Sequence, residues 1–203
     1  MSGKIQNLLE QANYSVTEDS SVNLAKRVFP DETEAKAFFK QTREKLLNID
    51  EWNKNSTPSN YELFDDAGRL CERKILDTGK FIRITVKASG KHDWVKILNV
   101  YEAAGEFVIT VSPSYDPTEN PPDKTVTSHF FKSEATNNFC LQKDDKSVAL
   151  YVIGLNEKAN VKETDNLIEA ARNLAAANFG YYLGLQKAMW KEFCARFLEI
   201  EEN

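Results

Sequence analysis

At Tyr61 the spacing of the apolar residues changes from the 3.6-residue period of helices to the two-residue period of strands. That change limits the chain to an α+β fold with helices toward its ends and a sheet in its middle. Residues 81–87 alternate Ile82, Ile84 and Val86 with Arg83, Thr85 and Lys87, so one face of this strand is expected to meet water. Residues 61–65 read as a shorter strand closed by Asp65-Asp66-Ala67-Gly68. Residues 94–101 and 106–113 read as a hairpin around Ala103-Ala104-Gly105. Pro117, Pro121 and Pro122 make residues 113–122 a loop. Residues 126–131 and 138–143 are further expected strands. After the turn Lys143-Asp144-Asp145-Lys146, residues 147–155 carry Val148, Leu150 and Val152 on one face and Ala149, Tyr151 and Ile153 on the other. Such a strand is covered on both sides or central. Most connections are too short for crossover helices, which predicts an antiparallel meander of six or seven strands.

Two N-terminal helices are expected before the sheet. Ile5, Leu8 and Leu9 have the spacing to begin a short helix, and Tyr14-Ser15-Val16-Thr17 has the composition of a short strand. Ser20 or Ser21 as a cap predicts a helix through Phe29, which Pro30 interrupts. Asp31 with Glu34 begins the next, whose stripe is Ala35, Phe38, Phe39, Leu46 and Leu47. Residues 52–60 are polar and rich in turn formers.

The C-terminal segment has the strongest helical period. Thr164 with Asp165 can cap a helix through Leu167, Ala171, Leu174, Leu185, Met189, Phe193 and Phe197. Continuous over residues 164–200, it would be ~55 Å long, while a globule of this size is ~43 Å across. It must therefore protrude, bend or break, and Gly180 and Gly184 are its weak points. Ala176, Gly180, Gly184 and Ala188 also form a small-residue stripe. Two readings compete for it: tight packing on the sheet or the second helix, or the seam of a homodimer.

The 203 residues suit a single domain, 1–203. Twelve Phe, seven Tyr and three Trp argue for a packed core. A net charge of -5 gives no general attraction to nucleic acid or anionic membranes, and neither is an expected partner. The absence of a signal-peptide pattern and of long apolar runs leads to an expected cytoplasmic location. Cys71, Cys140 and Cys194 read as free thiols.

Signatures for nucleotide binding, zinc proteases and nucleophile-elbow hydrolases do not occur. No cofactor, metal or catalytic residue is assigned, and whether the chain is an enzyme stays open. His92 falls in a turn. His129 alternates with Thr127 and Phe131 and reads either as structural or as a proton-transfer or ligand-orienting group. Strand and helix phase select Trp94, His129, Tyr151, Asn173 and Tyr182 as candidate ligand contacts, because pockets are mostly apolar with a few polar groups. Arg172 joins Asn173 among polar positions on an alanine-rich helix.

The order of elements, with a possible strand near Tyr14, two helices through Leu47, Trp52 soon after, six strands and a long final helix, resembles the START-like helix-grip superfamily. That superfamily includes polyketide cyclase-like and plant stress-related proteins. The proline-rich loop and the long last helix depart from its pattern. The resemblance implies a curved sheet wrapped around the C-terminal helix and a cavity between them for a small apolar or aromatic ligand. The competing expectation is an interaction protein that self-associates through the stripe at Ala176, Gly180, Gly184 and Ala188.

Overall fold

The computed structural model describes residues 3–14, 19–56, 58–87, 90–158, 160 and 186–200. In chain order these form α1 (Lys4–Tyr14), β1 (Ser21–Val28), α2 (Glu32–Leu47), α3 (Ile49–Asn55), β2 (Ser59–Phe64), β3 (Phe81–Val86), β4 (His92–Ala103), β5 (Glu106–Pro113), β6 (Thr136–Asp144) and β7 (Ser147–Leu155). A last helix, α4, covers residues 186–197. The strands make one curved antiparallel sheet in the order β1-β7-β6-β5-β4-β3-β2.

From β2 to β7 the sheet follows the chain as a meander, but β1 lies beyond β7. The chain must therefore cross the whole sheet between β1 and β2. Six strand spacings make ~29 Å, and the 16 residues of α2 span about 24 Å. Helix α3 completes the crossing. Asp31 caps α2 by accepting the Glu34 N–H, as its D-x-x-E start predicts. Asn48 caps α3 in the same way, with Asp50 and Glu51 in the first turn. Residues 52–55, expected in a turn region, are therefore helical. Asn53 of α3 pairs with both the N–H and the C=O of Tyr61, which covers part of the free edge of β2.

One face of the sheet, here the inner face, receives α2, α3 and α4. Its center is aromatic. Trp52 of α3 lies against Phe139 of β6 at 4.5 Å between ring centroids and against Phe193 of α4 at 5.3 Å. Trp190 meets Phe139 edge-on at 5.2 Å. Ile82, Val95, Ile109, Leu141 and Leu150 continue this core across the strands. The end of α4 is fastened to β1, because Arg27 donates to the Leu198 carbonyl at 3.1 Å and pairs with Glu199. Lys45 of α2 pairs with Glu199 as well.

Helix α1 covers part of the outer face. Ile5, Leu8, Leu9 and Ala12 pack on Val108, Cys140, Ile153 and Leu155, so β7 is covered on both sides. Glu106 accepts the Lys4 N–H at 2.9 Å, placing a carboxylate at the positive end of α1.

Three further expectations change. Residues 21–28 are a strand rather than a helix, paired with β7 at eight positions. Ser21, Asn23 and Ala25 face inward, while Val22, Leu24 and Val28 stay exposed on the other side. Pairing with β7 overrides a local pattern that capping residues made look helical. Residues 126–131 are not a ladder strand: the His129 ring takes the Phe131 N–H, and Ser128 is held between Trp94 and Ser114 by backbone bonds. The possible strand near Tyr14 is also different, since Tyr14 closes α1; residues 15–17 lie outside the described ones, as do residues 164–185 of the expected C-terminal helix.

Phe193 is 1% exposed at the meeting of α3, α4 and β6. Phe193→Ala is expected to lower unfolding free energy by about 3–5 kcal/mol, read as a shift of the urea midpoint with little change in slope.

Candidate functional site

Where β7 ends, Asn156 turns the chain with φ of 55°, a left-handed conformation that asparagine adopts more readily than most residues. The turn folds Glu157 back over the inner side of Gly154, and a Cβ on Gly154 would overlap the Glu157 carboxylate. Glycine is required there to let the carboxylate approach the strand. Donation from the Glu157 N–H to the Asp19 carbonyl, at 2.8 Å, holds the fold-back against the segment leading into β1.

Strand register surrounds this carboxylate with polar side chains. Ser21 of β1 and Asn137 of β6 stand on either side of Gly154 in one row across the sheet. In the next row Asn23 faces Val152, which in turn faces Phe139. Trp190 of α4 sits on Phe139. Lys187, one turn earlier in α4, acts on Glu157 through its charge, and Ser21 hydrogen-bonds to the carboxyl group.

Glu157, Trp190, Asn23 and Asn137 are respectively 2%, 5%, 8% and 8% exposed. Even so, Glu157 Oε1, Trp190 Nε1, Asn23 Nδ2 and Asn137 Oδ1 have no hydrogen-bond partner among the described residues. Leaving one such group buried and unsatisfied costs about 1–3 kcal/mol. A packed core avoids that arrangement, whereas a ligand site uses it. Burial pushes the Glu157 carboxyl above its ordinary range, against the smaller opposing effects of Ser21 and Lys187.

The residues selected from the sequence fall elsewhere or outside the described chain. Trp94 is buried on the outer face of β4, with Phe64 at 5.0 Å and the Arg83 guanidinium over its ring. Tyr151 is half-buried on the outer face of β7, beside α1. His129 lies in the loop before β6, stacked on Phe130 at 4.7 Å. Its Nδ1 accepts the Phe131 N–H at 2.9 Å, and burial pushes its pKa down to about 3. That nitrogen is therefore occupied, and the other carries the proton. His92 is exposed at the start of β4. Asn173, Tyr182, Ala176, Gly180 and Gly184 are outside the described residues, while Ala188 is exposed on α4.

Glu157, Asn23 and Asn137 were not selected from the sequence. Gly154, interrupting an otherwise apolar strand just before Asn156-Glu157, was the available signal. Among the described residues no three His, Cys, Asp or Glu side chains gather as metal ligands. No described helix is long and apolar enough to cross a membrane.

Two outcomes follow from these environments. A carboxyl with a raised folded-state pKa contributes stability at low pH that is lost as pH rises from its ordinary value of 4.5 through the raised one. Glu157→Gln is thus expected to melt higher than the parent near pH ~7.5 and to lose that advantage near pH ~4, by thermal denaturation across this range. The His129 imidazole is expected to stay neutral from pH ~8 down to ~4 in NMR titration; protonation near pH ~6.5 would contradict that downward shift.

No family model matches the sequence, and no curated protein matches it. Among solved structures, hypothetical protein jhp0584 from Helicobacter pylori is similar over 92% of this chain and 92% of that chain, with TM-score 0.55 and 11% identity. A protein from Arthrobacter aurescens aligns over 91% of this chain and 88% of that one, with TM-score 0.47 and 10% identity. Ara h 8.0201 aligns over 81% and 99%, with TM-score 0.36 and 14% identity. The Helicobacter pylori protein shares the fold, and at this identity the likeness extends to fold alone.

Proposed function

We propose that this chain is a small-molecule-binding domain that takes an apolar or aromatic ligand between the inner face of the sheet and the C-terminal helix. The observation that carries this reading is the set of four unpartnered polar atoms on Glu157, Asn137, Asn23 and Trp190, more than nine-tenths buried beside an aromatic wall. Pockets commonly combine such a wall with a few polar groups that orient the ligand. The START-like helix-grip resemblance supports the same placement through the order of elements, with a curved sheet facing the last helix. To Asn173 and Tyr182, taken from helix phase, the geometry adds these four residues as candidate contacts.

Screening by thermal shift against lipids and aromatic metabolites tests the reading. A ligand at about 100 times its Kd stabilizes the folded state by about 2.7 kcal/mol, which is expected to raise the melting temperature by several degrees. Trp190→Ala is expected to weaken that ligand as well as the fold, so its Kd is measured by titration below the variant's own melting point. No shift across the library, together with a crystal structure in which only ordered water satisfies the four atoms, would remove the basis for the reading.

A further inference from the structure

The four unpartnered atoms differ in what they offer. Trp190 Nε1 can only donate, and an ionized Glu157 carboxylate can only accept. The amides of Asn23 and Asn137 present one free donor, Nδ2, and one free acceptor, Oδ1. Turning either amide end for end changes the count on each side, but Trp190 and Glu157 keep both kinds present. Register puts Asn137 beside Gly154, where the Glu157 carboxylate lies, and Asn23 one row away. Asn23 and Asn137 stand on strands two spacings apart, ~10 Å, with the Glu157 carboxylate over β7 between them, so a head group placed at Glu157 has an amide on either flank.

Resting on the small-molecule reading above, we propose that this row holds the head of an apolar ligand, and that the head is an uncharged group able both to donate and to accept hydrogen bonds, with a hydroxyl as its simplest form. An ammonium head would pair with Glu157 but would turn only donors toward the Trp190 and Asn23 N–H groups. It would also enter beside the Lys187 charge that already faces Glu157. A carboxylate head would accept from Trp190 and Asn23, yet it would set its charge against Glu157 and its lone pairs against the Asn137 oxygen. A hydroxyl has one proton for an acceptor and two lone pairs for donors. It satisfies three of the four atoms, both donors and one acceptor, where either charged head suits only two, and it brings no new charge into a site where burial already disfavors one. The apolar body then lies along the Phe139 and Trp190 rings.

Three probes with one chain and different heads test the assignment: 1-decanol, decylamine and decanoate, each titrated into the full chain below its micellar concentration at pH ~7.5 with tryptophan fluorescence as readout. Decanol is expected to bind on the order of tenfold more tightly than either charged probe, a difference of about 1.4 kcal/mol. In Asn137→Leu, with its fold checked by circular dichroism, that preference is expected to fall to within about threefold. Tighter binding of decylamine would make Glu157 a counter-ion site, and tighter binding of decanoate would make Lys187 the anchor. Equal binding of all three would show that the polar row does not read the head. Each of these overturns the assignment while leaving a small-molecule site in place. Failure of all three probes overturns it too, and the library screen then decides whether the site itself stands.

Discussion

The pairing of β1 with β7 is the constraint on which the rest of this structure depends. It joins the first strand to the last, so the helices between β1 and β2 must run across the sheet from one edge to the other. By doing so α2 and α3 bring Phe38, Leu46 and Trp52 onto the inner face. The same pairing gives Arg27 its position over Phe38, from which it reaches the end of α4 and Glu199. A single non-local ladder thus fixes where three helices lie, and closing it requires the greatest sequence separation of any strand pair here.

That ladder also assembles the polar row. Ser21 and Asn23 come from the start of the chain, Asn137 and Glu157 from either side of β7, and Lys187 and Trp190 from the last helix. Their neighbors are aromatic, and the low dielectric there strengthens hydrogen bonds while making unsatisfied groups costly. Glu157 reaches this place because Asn156 accepts a positive φ and Gly154 has no side chain. The outer face is organized differently. Phe64, Phe81, Trp94 and Tyr115 gather under the cations of Arg83, Lys96 and Lys124, and α1 closes the other end.

Much of the fold was legible in local pattern. The D-x-x-E start of α2 and the two apolar faces of β7 each reflect one residue's immediate neighbors, and each matches the structure. The alternation in β3 turns Ile82 and Ile84 inward, but its other face is covered, because Phe81 is buried and Arg83 lies over the Phe64 and Trp94 rings. Residues 21–28 were misread because their alternation is set against serines that resemble helix caps, and their partner strand lies more than a hundred residues away. Residues 126–131 have strand composition, but side chains and distant backbone groups take their hydrogen bonds instead of a ladder. The polar row was harder still. An asparagine in a strand looks the same whether it faces water or a core, and only the side it presents distinguishes the two.

By itself, the sequence determined the class of the protein: helices around an antiparallel meander, an aromatic core, and a strong helical period near the C-terminus. Those properties follow from periodicity and turn chemistry, which act over a few residues. Only the tertiary structure decided that β1 is a strand, that Trp94 and Tyr151 face away from α4, and that Glu157 lies against Gly154 between Ser21 and Asn137. Each of these depends on which strands pair and in what register, and a shift of one residue would send every side chain of a strand to the opposite face.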